Sequence, residues 1–138
     1  MKKHLSSIIL FLVFAAGLSI FLYPSVSNYV NSKHQSRAIA SYDEALAKLS
    51  TTDYSKFWTA AKEYNRQLAD RSTDFNLTDS EMKEYDSLLD PTGTGVMGHL
   101  EIESIGVDLP IYHGVTDSVL QVGIGHLPGS SLPTGGES

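Results

Sequence analysis

Few residues of this chain could do chemistry, and they lie late in it. His126 stands in Gly125-His126-Leu127, and His99 and His113 stand near Asp108 and Glu101. An imidazole moves protons near neutral pH and, next to a nucleophile, can act as its base. The chain has no cysteine, so no thiol is present to be that nucleophile. The same lack excludes disulfides and thiolate metal sites. A catalytic histidine needs a partnered nucleophile, so His126 reads as a hydrogen-bonding loop residue. His99 and His113 form no standard metal-ligand spacing with Asp108 or Glu101, and they read as polar residues on strand faces. No catalytic residue, metal site or cofactor is assigned from these residues.

The elements that must position them begin at a membrane. Leu5 to Tyr23 carries no charge, and roughly 20 helical residues cross a hydrocarbon layer. Lys2 and Lys3 precede the run, which places the N-terminus inside and the rest outside. Residues 1–24 are therefore expected to be a signal anchor in the cell membrane, with the remainder extracytoplasmic. The alternative is a cleaved signal peptide using Ala15, Ala16 and Gly17, but Ile20, Phe21 and Leu22 continue the apolar run past them. Pro24 is expected to interrupt or start a helix at the outer edge.

The formal net charge is −6 over 138 residues, and every Lys and Arg lies at or before Lys83. Nucleic-acid binding needs cations to neutralise phosphates, so no nucleic-acid partner is expected. So long a stretch without Lys or Arg also suggests that compensating charge lies in sequence outside the chain.

Residues 25–90 read as a helical extension. Ile39, Tyr42, Leu46 and Leu49 recur at helical steps, Thr51, Thr52 and Asp53 offer a cap, and Phe57, Ala61, Tyr64 and Leu68 form a second stripe with Trp58 beside it. Thr78-Asp79-Ser80-Glu81 is a capping box ahead of Met82, Tyr85 and Leu89. Aromatic residues at this spacing are expected to be packing. Asp90-Pro91-Thr92-Gly93-Thr94-Gly95 then punctuates the chain. Leu100 and Ile102 alternate as one strand, and Ile105, Val107, Leu109 and Ile111 as another, with a turn or bulge near Ser104. Pro110 predicts an edge or kinked strand. Beyond Gly114 the sequence predicts loop with one helical turn over 117–121. The fold class is α+β, and residues 91–138 supply too few strands to close a domain alone, so the chain is expected to be one part of a longer protein.

Several blocks together resemble a known family. They are Gly95-Val96-Met97-Gly98-His99-Leu100-Glu101-Ile102, Ile105-Gly106-Val107-Asp108-Leu109-Pro110-Ile111-Tyr112-His113-Gly114, Val119 to Leu127, and Ser131 to Ser138. Their order and spacing are similar to the start of the β-barrel in class C (pilin-building) sortases, and the anchor and helical extension suit that family. The resemblance implies an N-terminal transmembrane helix and helical extension followed by the first strands of an incomplete sortase-type barrel. It implies a membrane-anchored cysteine transpeptidase whose partners are pilin precursors bearing a sorting signal. Such chemistry needs a thiolate, a histidine and an arginine. In the family order all three come after Ser138, so the 138 residues alone are expected to be inactive.

The family often carries a lid of Asp-Pro-aromatic between helices and barrel. The resemblance implies Asp74-Phe75 as a degenerate lid lacking the proline, with an ordinary helix-to-helix loop as the alternative. Asp90-Pro91 has the dipeptide, but Thr92 follows it. A different class of function also fits these elements, namely a membrane-anchored extracytoplasmic binding or assembly module with no chemistry.

Overall fold

The computed structural model describes residues 2–70 and 75–135, with side chains from Ser6 onward. The chain divides into two compact units, 1–33 and 34–138. Helix α1, Lys2–Lys48, begins in the first. There its apolar side chains, Ile8, Leu10, Phe14, Ile20 and Phe21 among them, are exposed. It is long and apolar enough to cross a membrane by length and composition. Pro24 does not interrupt or start a helix as its type predicts; α1 runs through it. Proline costs a helix interior about 3 kcal/mol, a local cost that 47 residues of continuous helix outweigh.

In the second unit the last turns of α1 are followed by α2, Thr51–Ala69, and α3, Asp79–Ser87. The cap of α2 is Ser50, not the Thr51-Thr52-Asp53 run. Its hydroxyl accepts the Asp53 backbone N–H at 3.1 Å. The capping box of α3 is present in both directions: Thr78 accepts from the Glu81 N–H, and the Glu81 carboxylate accepts from the Thr78 N–H at 2.8 Å. Thr78→Ala removes the hydroxyl that accepts one of these orphan donors. It is expected to lower stability by about 1 kcal/mol, read from the denaturant midpoint; no shift in the midpoint would show the box to be idle.

The α2 and α3 stripes and the sheet meet in one core of Ala61, Tyr64, Tyr85, Leu88, Leu89, Met97 and Leu132. Leu89 adopts φ 54°, a left-handed conformation unusual for a branched residue. The strain is of order 1–2 kcal/mol. Burial of its side chain in that core offsets a cost of this size.

The sheet has three strands in the order β1-β2-β3: β1 Val96–Ile102, β2 Val107–His113 and β3 Ile124–His126. A 3-10 turn at Glu103–Ile105, closed by left-handed Gly106, joins β1 and β2 as an antiparallel pair. This is the turn expected near Ser104. The short α4, Asp117–Leu120, lies in the crossover to β3, which pairs with β2 in parallel. Two expectations need correcting. Residues beyond Gly114 hold a strand as well as a helical turn, and Pro110 sits in the central strand rather than at an edge. The pairing explains how proline is tolerated there. β3 begins opposite Ile111, so Pro110 meets no β3 partner that would need its missing N–H. Leu100, Ile102 and Ile105, at the hairpin end, are exposed.

Candidate functional site at the strand ends

The densest polar constellation lies where β2 and β3 end beneath α3. Tyr85, on the inner face of α3, is fully buried. Its hydroxyl donates to the His126 carbonyl at 2.9 Å and lies 3.0 Å from His126 Nδ1. It also accepts the Gly114 backbone N–H at 3.2 Å. The His126 ring stacks beside Tyr85, and the His113 ring meets it edge-on at 4.9 Å. One phenol thus ties a helix to two strand ends. Burial pushes its pKa up to about 12, so the hydroxyl keeps its proton and stays a donor.

The ring nitrogens decide what His126 can do. Its Nε2 lies 2.9 Å from the Ser131 carbonyl. A carbonyl only accepts, so Nε2 carries a proton. Ser130 Oγ is 3.4 Å from the same nitrogen, but that hydroxyl donates to the Leu127 carbonyl at 2.7 Å. The pair looks like a serine–histidine dyad, yet a protonated Nε2 cannot take the serine's proton. Burial also lowers the His126 pKa, with His113 nearby adding to the effect. His126 ends β3 rather than lying in a loop; its Nε2 donates to the Ser131 carbonyl, and its Nδ1 lies against the Tyr85 oxygen. His113 donates from Nδ1 to the Gly95 carbonyl at 3.1 Å, leaving its buried Nε2 without a partner among the described residues.

His99 lies elsewhere on the sheet. Its Nδ1 is 2.7 Å from Asp108 Oδ1 across the hairpin, and its Nε2 is 3.9 Å from Asp43 of α1. The Asp108 carboxylate raises the His99 pKa, outweighing partial burial. His113 is three residues past Pro110, the partner of His99, and its N–H bonds to Gly95, a separation along the strand of roughly 10 Å. The structure therefore does not bring His99 and His113 together. No metal-holding group of three or more His, Cys, Asp or Glu residues occurs among the described residues.

Of the lid residues, Asp74 lies outside the described residues, and Phe75 is exposed. The Asp90 carboxylate is fully engaged with its own loop. It accepts from the N–H groups of Thr92, Thr94 and Gly95 and from the Thr92 hydroxyl. That carboxylate shapes the turn into β1. A separate cavity of about 240 Å³ lies between helices and sheet, walled by Tyr42, Tyr54, Phe57, Trp58 and Met97.

Two residues that hold this region together were not singled out by the sequence. Tyr85 was legible only as a buried face. Asn65, which grips the backbone of Leu132, had a visible signal: it is a polar residue on the Ala61, Leu68 stripe.

No family model and no curated protein matches the chain. Solved structures do. The chain is similar to sortase C1 from Streptococcus agalactiae, at 43% identity and TM-score 0.69, over 74% of this chain and 53% of that one. A lid mutant of Streptococcus agalactiae sortase C1 aligns at 32% identity and TM-score 0.53, over 72% of this chain and 51% of that one. A complex of Clostridium perfringens sortase C with the C-terminal cell wall sorting signal motif aligns at 28% identity and TM-score 0.55, over 73% of this chain and 47% of that one. The chain spans about half the length of these proteins. Its helices and open three-stranded sheet are a sortase-like fold, and the resemblance carried by the sequence blocks around β1 to β3 agrees with the structural likeness. The structures that this chain resembles are class C sortases.

Proposed function

We propose that the protein is the anchoring and scaffolding part of a membrane-bound cysteine transpeptidase that joins pilin subunits through a sorting signal. The observation that carries this reading is the 43% identity to a class C sortase across three quarters of the chain. The bound sorting-signal motif of the Clostridium perfringens enzyme supports the substrate class. The exposed apolar run of α1 supports an anchor at residues 1–24, which leaves 25–90 as the helical extension and 91–138 as barrel, outside the cytoplasm. The thiolate, acid–base histidine and arginine of the reaction come, in this reading, from sequence outside these residues, because the chain has no cysteine.

The test is to express the coding sequence extended past residue 138 and expose the product to a sorting-signal peptide. The longer enzyme is expected to form a thioester adduct visible by mass spectrometry, and the 138 residues alone are expected to form none. Turnover by the short chain, or a longer chain without thiol and adduct, would overturn the proposal and favour a binding or assembly module. We also propose Asp74-Phe75 as the lid, supported by the exposure of Phe75 between α2 and α3. Phe75→Ala in the longer enzyme should then raise peptide hydrolysis several-fold; an unchanged rate would make the segment an ordinary loop.

A further inference from the structure

Residues 127–134 leave β3 and cross the helices as a strap outside any strand. Within it, Ser130 N–H donates to the Leu127 carbonyl and Thr134 N–H to the Leu132 carbonyl. Midway along it the Ser131 carbonyl accepts from His126. At its centre Leu132 is 2% exposed, inserted into the core with Ala61, Tyr64 and Tyr85. The backbone of Leu132 is held by one side chain. Asn65 Oδ1 accepts the Leu132 N–H at 2.8 Å, and Asn65 Nδ2 donates to the Leu132 carbonyl at 2.9 Å and to Thr134 Oγ1 at 3.1 Å. This is the pair of bonds that a neighbouring strand would make with a single residue.

We propose that Asn65 is a positioning residue that sets the path of the strap, so that the strap is ordered by helix α2 and released when that grip is lost. The inference goes beyond the sortase reading and does not depend on turnover. A carboxamide both donates and accepts at one end of a short side chain. A carboxylate of the same shape can only accept, and it would face the Leu132 carbonyl with like polarity. A protonated carboxyl regains the donor. Asn65→Asp therefore converts the grip into one that depends on pH, which loss of packing alone would not do.

The experiment measures amide hydrogen exchange by NMR in the full chain held in detergent micelles. Wild type is expected to protect the Leu132 amide. Asn65→Ala is expected to speed its exchange by on the order of tenfold to a hundredfold, while the β1–β2 ladder amides keep their rates. Asn65→Asp should match the alanine variant at neutral pH and approach wild type in acid, each compared at the same pH. The introduced carboxyl should titrate above the usual range, because its ionised form faces a carbonyl in a half-buried place. The titratable groups around the site are the buried phenols of Tyr64 and Tyr85, His126 at the start of the strap, and an exposed Glu63–Arg66 pair on α2. They are common to all three proteins, so the aspartate-minus-alanine difference isolates the new group. An unprotected Leu132 amide in wild type would overturn the proposal. So would unchanged exchange in Asn65→Ala, equal loosening of the ladder, or no acid recovery in Asn65→Asp.

Discussion

Replacing Gly125 with alanine will detach β3 from the sheet. A Cβ at that position would stand 2.6 Å from the Gly114 carbonyl oxygen and 3.1 Å from the side chains of Leu120 and Val115. Backbone oxygen cannot swing aside as a flexible side chain can. Gly114 is further fixed by its N–H to Tyr85 and its bridge to His126. Overpacking of this kind costs about 3 kcal/mol. Gly98 in β1 is the control, since a Cβ there meets nothing within 4 Å. Gly98→Ala should change stability by less than about 0.5 kcal/mol. Denaturant midpoints of the two variants, with exchange at Gly125 and its neighbours, decide the matter; equal midpoints would mean that β3 does not seat as described.

Tyr85→Ala is expected to cost about 4 kcal/mol, the range for deleting a buried ring, and to leave the chain largely unfolded at room temperature. Tyr85→Phe separates the hydroxyl from the ring. It keeps the packing against Tyr64 and His113 but strands the Gly114 N–H and the His126 carbonyl. Unsatisfied buried groups cost about 1–3 kcal/mol, so Tyr85→Phe should lose about 2 kcal/mol and expose the Gly114 amide to exchange. A phenylalanine variant as stable as the parent, with a protected Gly114 amide, would show that the hydroxyl ties nothing together.

The helices were legible because their signals are local. Residues three and four apart share a face, and the capping box is written in four consecutive letters. The hairpin was legible for the same reason, since alternation around Ser104 needs no distant partner. β3 was not. Three residues, one of them glycine, are too few to show a period, and their pairing with β2 is parallel and non-local. Pro110 misled because its rule concerns the ladder, and only the register reveals that β3 starts one residue later. The site divides the same way. The sequence indicated that His126 lacked a thiol and that His99 and His113 lacked ligand spacing. It could not show that the Tyr85 hydroxyl would meet groups 29 and 41 positions away. The lid assignment rests on family likeness and not on any local pattern, since the dipeptide that defines it is incomplete here.

The grip of Asn65 on Leu132 spans 67 positions of chain, and this imposes an order on biosynthesis. At ribosomal speeds of about 5–20 residues per second, helix α2 is made on the order of several seconds before the leucine that fills its groove. Throughout that interval Ala61 and Tyr64 lack the leucine that covers them in the folded core. The interval during which the apolar face of α2 lies uncovered should therefore lengthen when translation slows between Leu68 and Leu132.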